Sequence, residues 1–244
     1  MTDVDRRDER RRRYTMTMQG REIRVEIGRE ELTLLPEGAI HWPAQNAVLV
    51  ADVHVGKAAA FRAESVPVPA GSSQASLDRL GEVLTETGAG KLFLLGDLWH
   101  ARQGRTEQIR SMFAGWRHRH IHVEMILIEG NHDRKAGAME AELNIQTVPD
   151  LLVGNFLLRH HPEEDERGYV LAGHIHPAVR LVGAGRQSER LPAFWFGPRI
   201  GVLPAFGDFT GCATVYPSEN DRVFVLTGNE ILEVGLTGVG AGRS

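Results

Sequence analysis

The sequence holds a single cysteine, Cys212, so no disulfide can form within the chain, which agrees with a reducing compartment. Cys212 reads as a small core residue. Long hydrophobic runs are also missing. No stretch approaches the roughly 18 to 20 apolar residues that span a bilayer, and the arginine-rich N-terminus has no apolar signal-peptide segment. A cytoplasmic protein is the expectation. Excess positive charge is lacking as well, since 28 Lys and Arg stand against 32 Asp and Glu, for a net charge of -4. The chain as a whole is therefore no electrostatic glove for nucleic acid, and a phosphate-rich partner must be drawn by a local feature. Internal repeats and low-complexity linkers are absent too.

What remains is 244 residues with 42% hydrophobic and 25% charged residues, ordinary usage for one globular domain with a sizeable core. Residues 1–20 carry Arg6, Arg7 and Arg10 to Arg13 interleaved with Asp3, Asp5, Asp8 and Glu9, without an apolar period. They read as a mobile tail, either an arm that touches phosphate backbone or a solvated extension. Residues 235–244, rich in glycine, read as a flexible C-terminal tail, which leaves 21–234 as the domain.

Short apolar runs at Ile23 to Ile27, Leu32 to Leu35 and Ala39 to Trp42, parted by Gly28 and Pro36-Glu37-Gly38, predict an antiparallel meander. Ala47 to Ala51 is continuously apolar, as in a strand buried on both faces, and stops at Asp52, where a polar loop is expected. A helix is predicted from Ser72 or Ser73, either of which can cap it, through Leu77, Leu80, Val83 and Leu84 to Gly88. Lys91 to Leu95 is the next buried strand and ends at Gly96-Asp97. A second amphipathic helix around Thr106 to Arg117 leads to the strand Val123 to Ile128, which ends at Gly130-Asn131-His132-Asp133. Buried strands separated by helices predict βαβ units and a parallel sheet. Beyond residue 145 short strands return, among them Leu151 to Val153, Asn155 to Arg159, Tyr169 to Ala172, Ala178 to Val182, Leu191 to Phe196, Ala213 to Tyr216 and Arg222 to Leu226.

The strand ends present, in order, Asp52-x-His54, Gly96-Asp97, Gly130-Asn131-His132-Asp133, His160-His161 and Gly173-His174-x-His176. Parallel strands end on one edge of their sheet, so groups more than 120 residues apart can meet in one crevice. Carboxylate, amide oxygen and imidazole together suit Mn²⁺, Fe²⁺ or Zn²⁺, whereas an all-oxygen Mg²⁺ or Ca²⁺ site would not need so many histidines. Seven candidate ligands exceed one tetrahedral ion and suit two ions that share a bridging carboxylate.

In this order the motifs resemble those of the calcineurin-like metallophosphoesterases, D-x-H, G-D, G-N-H-[DE], H and G-H-x-H. The resemblance implies an α/β fold of two face-to-face mixed β-sheets flanked by helices, an αββα sandwich; the residues alone support only mixed strands around a parallel centre. By position it implies that Asp52, His54 and His176 bind one ion, Asn131, His160 and His174 the other, and that Asp97 bridges them. It puts His132 on the scissile phosphate, where it stabilises or protonates the leaving oxygen, with Asp133 orienting it. The fourth motif offers adjacent histidines; His160, first after its strand, is preferred as the ligand and His161 as a substrate contact. The implied cofactor is a pair of divalent ions, foremost Mn²⁺ with Fe²⁺ or Zn²⁺ as alternatives, and the implied activity is two-metal hydrolysis of a phosphate ester.

Longer strings, including Asp52-Val-His-Val-Gly-Lys57-Ala-Ala-Ala-Phe61-Arg62, Gly96-Asp97-Leu-Trp-His100-Ala-Arg102 and Leu203-Pro-Ala-Phe-Gly207-Asp-Phe-Thr210-Gly, are similar to the bacterial ligase-associated DNA damage response endonucleases. That likeness implies a DNA endonuclease in DNA repair, with DNA as partner and a DNA ligase and helicase in the same pathway. Two other readings of the motifs are a phosphohydrolase for nucleotides or lipid-linked sugar nucleotides, and a non-catalytic scaffold; filled ligand positions argue against the scaffold.

Lys57, Arg62, His100, Arg102 and His161 are candidate substrate contacts, because a cation or imidazole on loops leaving the ligand edge could hold a substrate phosphate. Arg105 shares that placement but reads as a surface cation. His118, His120 and His122 read as solvated or capping, and Trp42, Trp99, Trp116 and Trp195 as core. Arg186, Arg190 and Arg199 are interrupted by Glu189 and Asp208, against a nucleic-acid groove there.

Overall fold

A computed structural model describes residues 13–69, 71–182, 188–208 and 210–237. In chain order the strands are β1 (Arg13–Gly20), β2 (Ile23–Ile27), β3 (Glu30–Leu34), β4 (Ile40–Trp42), β5 (Ala47–Val50), β6 (Lys91–Leu94), β7 (Glu124–Ile128) and β8 (Ile145–Val148). The second half adds β9 (Leu151–Val153), β10 (Phe156–Leu158), β11 (Tyr169–Ala172), β12 (Pro177–Val182), β13 (Ser188–Phe196), β14 (Ile200–Val202), β15 (Ala213–Thr214), β16 (Arg222–Leu226) and β17 (Ile231–Thr237). Helices α1 (Lys57–Ala63), α2 (Ser72–Thr87), α3 (Glu107–Arg119) and α4 (Asn131–Ala136) all fall between β5 and β8. Among the described residues no helix is long and apolar enough to cross a membrane.

Two sheets result. The first runs β2-β3-β4-β5-β6-β7-β8 in sequence order, antiparallel from β2 to β5 and parallel from β5 to β8. The second has ten strands with the path β1-β17-β16-β13-β14-β11-β10-β9, and β12 and β15 attached beside β13. Side chains alternating along the central strands build both layers of core. Val48, Val50, Leu92, Leu94, Met125 and Leu127 face the helices, where Leu77, Leu80, Phe113 and Trp116 cover them. Leu49, Phe93, Leu95, Ile126 and Ile128 face Phe156, Leu158, Leu171, Phe194 and Phe224 of the second sheet. This period of two is why β5 and β7 read as unbroken apolar runs: each is buried on both faces. The fold is the expected α/β sandwich of two mixed sheets flanked by helices.

Several local expectations need correction. Residues 13–20, read as part of a mobile tail, form β1, which pairs antiparallel with β17 from Arg13↔Thr237 to Gly20↔Ile231. The strand lacks an apolar alternation because its pairing rests on backbone hydrogen bonds at a sheet edge, and Met16 and Met18 stay exposed. The same pairing takes residues 235–237 out of the supposed C-terminal tail; 1–12 and 238–244 lie outside the described residues. Neither Ser72 nor Ser73 caps α2. Gly71 holds the N-cap at φ 97°, and Ser73 Oγ instead accepts the Gly56 N–H at 3.0 Å. Thr106 does cap α3, accepting from Ile109 N–H, and Gly88 ends α2 at φ 64°. Lys57 and Arg62 lie on helix α1, where a loop was expected; its three consecutive alanines are buried and carry no amphipathic period.

Trp42, Trp99 and Trp116 are core residues as read, and Trp195 is half-buried against the second sheet. His118 and His122 are exposed, whereas His120 is half-buried at the C-cap of α3, its ring 4.9 Å from Trp116. Arg199 bonds to the Asp165 carbonyl and Glu164, Arg190 is exposed and Arg186 lies outside the described residues.

Candidate metal centre

Asp52 follows β5, Asp97 follows β6 and Asn131 follows β7, so the C-terminal edge of the parallel strands delivers three of the seven residues. His54 leaves the same edge two residues after Asp52, and the second sheet delivers the other three in the same way: β10 and β11 are parallel, His160 and His174 each lie two residues beyond their ends, and His176 follows His174. Five of the nine non-glycine residues with positive φ among the described residues are Asp52, His54, Asp97, His174 and His176, at 49 to 72°. Left-handed backbone at such residues costs roughly 1–3 kcal/mol each and persists where surrounding structure fixes it. Here the fixing is visible. Asp52 N–H bonds to the Gly96 carbonyl, His54 N–H to the Asp97 carbonyl, and His174 N–H to Asp52 Oδ2 at 2.8 Å.

The motif glycines make room for ligands of other motifs. A Cβ on Gly96 would strike the His160 ring, one on Gly130 the Asp97 carboxylate, and one on Gly173 the Asp52 carboxylate.

Two imidazoles have their tautomers set by backbone carbonyls. His160 Nδ1 faces the Leu95 carbonyl at 3.0 Å and His176 Nδ1 faces the Gly211 carbonyl at 2.7 Å, which leaves a lone pair on each Nε2. The His160 Nε2 then meets Asn131 Oδ1 at 3.0 Å, His174 Nδ1 at 3.1 Å and Asp97 Oδ2 at 3.4 Å. His176 Nε2 lies 3.3 Å from Asp52 Oδ1, and both atoms are buried without a hydrogen-bond partner. Electron-pair donors converging on one another repel unless a cation lies among them, so these residues fit divalent metal. The same atoms form overlapping groups of metal-ligand geometry: Asp52, His54 and His176; Asp52, Asp97 and His160; and His160, His161 and His174. His160 stands at the centre of its group, 2% exposed, while His161 is half-buried with its ring 4.1 Å from His174.

Electrostatics agree with ligation. Burial first, then Lys57, holds His54 down to about 2, so its imidazole is neutral and able to donate a lone pair. Burial works to raise Asp97, but its pairing with His160 brings it to about 2, so it is an ionised carboxylate; against burial, the same carboxylate lifts His160 above its ordinary value, so a cation there would take the place of a proton on His160 Nε2. Asp97 Oδ1 accepts His132 N–H at 2.8 Å, so one carboxylate ties three motifs together.

His132 sits at the mouth with its side chain one-third exposed, its Nε2 4.0 Å from Asp97 Oδ2. Asp133 does not orient it. The Asp133 carboxylate is buried and takes the backbone N–H of Trp99 at 2.9 Å and of Gly130 at 3.0 Å, as a cap of α4. Adjacent helical residues point about 100° apart, which turns Asp133 inward as His132 turns out. The His132 ring is oriented by the His100 carbonyl, 2.6 Å from Nδ1, and stacks on the His100 ring at 4.9 Å. His100 Nδ1 in turn lies 3.4 Å from His54 Nδ1, so His100 touches both a ligand and His132.

Lys57, half-buried at the start of α1, feels both Asp52 and Asp97, while burial lowers its pKa. Arg102 is exposed in the turn Arg102–Gly104, and Arg62 is exposed and donates to the Pro69 carbonyl at 3.3 Å, away from the ligands. Cys212, read as core, is half-buried beside this site and close enough to Lys57 to influence it.

A nuclease MPE of Pseudomonas putida, solved by crystallography, matches this chain with 38% sequence identity and a TM-score of 0.75, covering 88% of this chain and 100% of that one. The chain belongs to the metallophosphoesterase family. Membership makes it a metal-dependent phosphoesterase, a hydrolase, in accord with the acceptor-lined centre. A phosphoesterase of E. coli, Yfce, matches at 14% identity and a TM-score of 0.34 over 74% of this chain and 87% of that one, a likeness on which nothing rests. No family profile matches the chain, and no curated protein does.

Proposed function

We propose that this metallophosphoesterase cleaves phosphodiester bonds in nucleic acid, as an endonuclease of DNA repair. The observation that carries the hydrolytic part is the convergence of Asp52, Asp97, Asn131, His160, His174 and His176 with lone pairs facing one another. The nucleic-acid part is supported by the 38% identity to a nuclease. In this reading Asp52, His54 and His176 would hold one divalent ion and Asn131, His160 and His174 the other, with Asp97 available to both. Mn²⁺ suits the mixture of carboxylate, amide oxygen and imidazole, and Fe²⁺ or Zn²⁺ is compatible with it. When bound, such ions supply a hydroxide-generating Lewis acid and neutralise phosphoryl charge.

The chain's own residues do the rest. His132, directed by the His100 carbonyl, presents Nε2 to a bound phosphodiester and donates a proton to the leaving oxygen. Lys57 and His100 flank that position and attract the non-bridging oxygens; His161 borders the opposite side, beside His174. Arg102 and Arg62, exposed farther out, meet flanking phosphates of a longer strand. A cytoplasmic setting with a DNA ligase and a helicase completes the proposal.

The test is hydrolysis of an aryl phosphodiester by chelator-stripped protein with and without Mn²⁺, beside Asp97→Asn. Turnover that requires both Mn²⁺ and Asp97, followed by cleavage of nicked, gapped or single-stranded DNA, is the expected result. Hydrolysis of nucleotides with no cut in any DNA would replace the nuclease reading by the small-molecule one. Ion binding with no turnover on either class would mark a scaffold.

A further inference from the structure

Helix α4 carries Asn131 and His132 yet has only six residues, too short to hold its own conformation in water. Its placement must come from partners at its two ends. At the N-terminal end the partners are Asp133, through the Gly130 and Trp99 N–H groups, and Asp97, which accepts the His132 N–H. At the C-terminal end it is Arg105. One guanidinium nitrogen of Arg105 donates to three successive carbonyls, Ala136 at 3.1 Å, Gly137 at 2.9 Å and Ala138 at 3.0 Å. Its other terminal nitrogen pairs with Glu140, and the guanidinium carbon lies over the Trp99 ring, 4.9 Å from its centroid. The side chain is 10% exposed, so it is no surface cation awaiting a phosphate.

These contacts close a circuit. Arg105 grips the last carbonyl of α4, Ala136, and the two that follow it, where a cation also complements the helix dipole, and rests on Trp99. Trp99, two residues after Asp97, returns through its N–H to Asp133 in the first turn of α4. The Gly96-Asp97 motif and the Gly130-Asn131-His132 motif, joined directly where Asp97 Oδ1 accepts His132 N–H, are thus braced a second time by one side chain that touches neither. We propose that Arg105 is a positioning residue for the reaction: it sets where Asn131 and His132 stand relative to Asp97, and its loss lowers the chemical step without altering substrate binding. The proposal rests on the hydrolytic reading above.

A planar fork reaches the three carbonyls and Glu140 while stacking on Trp99; an ammonium reaches fewer of them. Arg105→Met is therefore expected to lower kcat for the aryl phosphodiester by about 10²-fold, the effect of a displacement near 1 Å, with KM little changed. Arg105→Lys is expected to recover part of kcat. The matched control is Arg117→Met. Arg117 is likewise buried, 2% exposed, and holds the carbonyls of His120, Leu143 and Asn144, but it touches nothing in α4. It should lower Tm at least as much as Arg105→Met while kcat holds.

Mn²⁺ stoichiometry and the His132 imidazole resonances of ¹⁵N-labelled protein complete the experiment. The resonances should shift in both Arg105 variants and not in Arg117→Met, which decides the clamp even if the wild type hydrolyses nothing and the phosphodiesterase reading fails. A kcat that tracks Tm across all three variants would overturn the proposal. So would His132 resonances that do not move in either Arg105 variant.

Discussion

The two ends of the metal centre are built differently. Around His160 the ligand atoms are knitted by close approaches of 3.0 to 3.4 Å, and the ring is anchored to the Leu95 carbonyl deep between the sheets. Around His176 the opposing Asp52 Oδ1 and His176 Nε2 have no hydrogen-bond partner, and the ring is anchored only to Gly211, on a loop. The difference teaches that the His160 ring is held by the folded framework and the His176 ring by a loop, while the lone pairs at both ends call for a cation among them.

Asp97→Asn should erase the comparison, because Asp97 reaches His160 directly and supports His54 and His132 through its backbone and carboxylate. Turnover should fall by more than the ~10²–10⁴-fold typical of a missing acid or base, with the circular dichroism spectrum unchanged. Residual activity within tenfold of wild type would remove Asp97 from its bridging role.

His132→Ala should leave both ends intact, retaining every bound ion while kcat drops by about 10²–10⁴-fold. Bound metal counted by atomic spectroscopy checks this, and a missing ion would show that His132 is a ligand instead.

Paired variants then sharpen the contrast. His160→Ala and His176→Ala should each release one ion, but only His160→Ala should destabilise the chelator-treated protein, by about 1–3 kcal/mol, since it strands the buried Leu95 carbonyl. Equal shifts in a urea titration would break the distinction between a framework-held end and a loop-held one.

The smallest effect on turnover is expected for Asp133→Asn. An amide nitrogen would face the Trp99 or Gly130 N–H and cost about 1–3 kcal/mol of stability, while the amide oxygen keeps the other bond and so most of the placement of α4, and kcat falls by no more than about tenfold. A kcat loss matching that of His132→Ala would restore Asp133 as the residue that orients the imidazole.

Legibility followed the same physical lines as these contrasts. β5, β6 and α2 were readable because burial writes a period into the residues: unbroken for a strand covered on both faces, three-and-four for a helix with one apolar side. β1 and α4 were not. β1 is held by backbone pairing with β17, and α4 by a buried carboxylate at one end and Arg105 at the other, and none of these leaves a hydrophobic pattern. The ligand motifs were readable as residue types in order. Their left-handed backbone was not, since Asp52, His54, Asp97, His174 and His176 adopt positive φ only through bonds made across motifs.

The sequence by itself determined the parallel centre and the run of carboxylate, amide and imidazole groups at its strand ends, because these follow from hydrophobic period and side-chain chemistry; the two-sheet sandwich and the seven ligands came from what the motif resemblance implies. Only the tertiary structure decided which nitrogen of His160 and His176 faces inward, that the His100 carbonyl and not Asp133 directs His132, and that Arg105 is a buried clamp. Those facts depend on partners 30 or more residues away, such as Leu95 for His160 and Gly211 for His176, and a hydrogen bond to a distant carbonyl imposes no residue type on the position that supplies it.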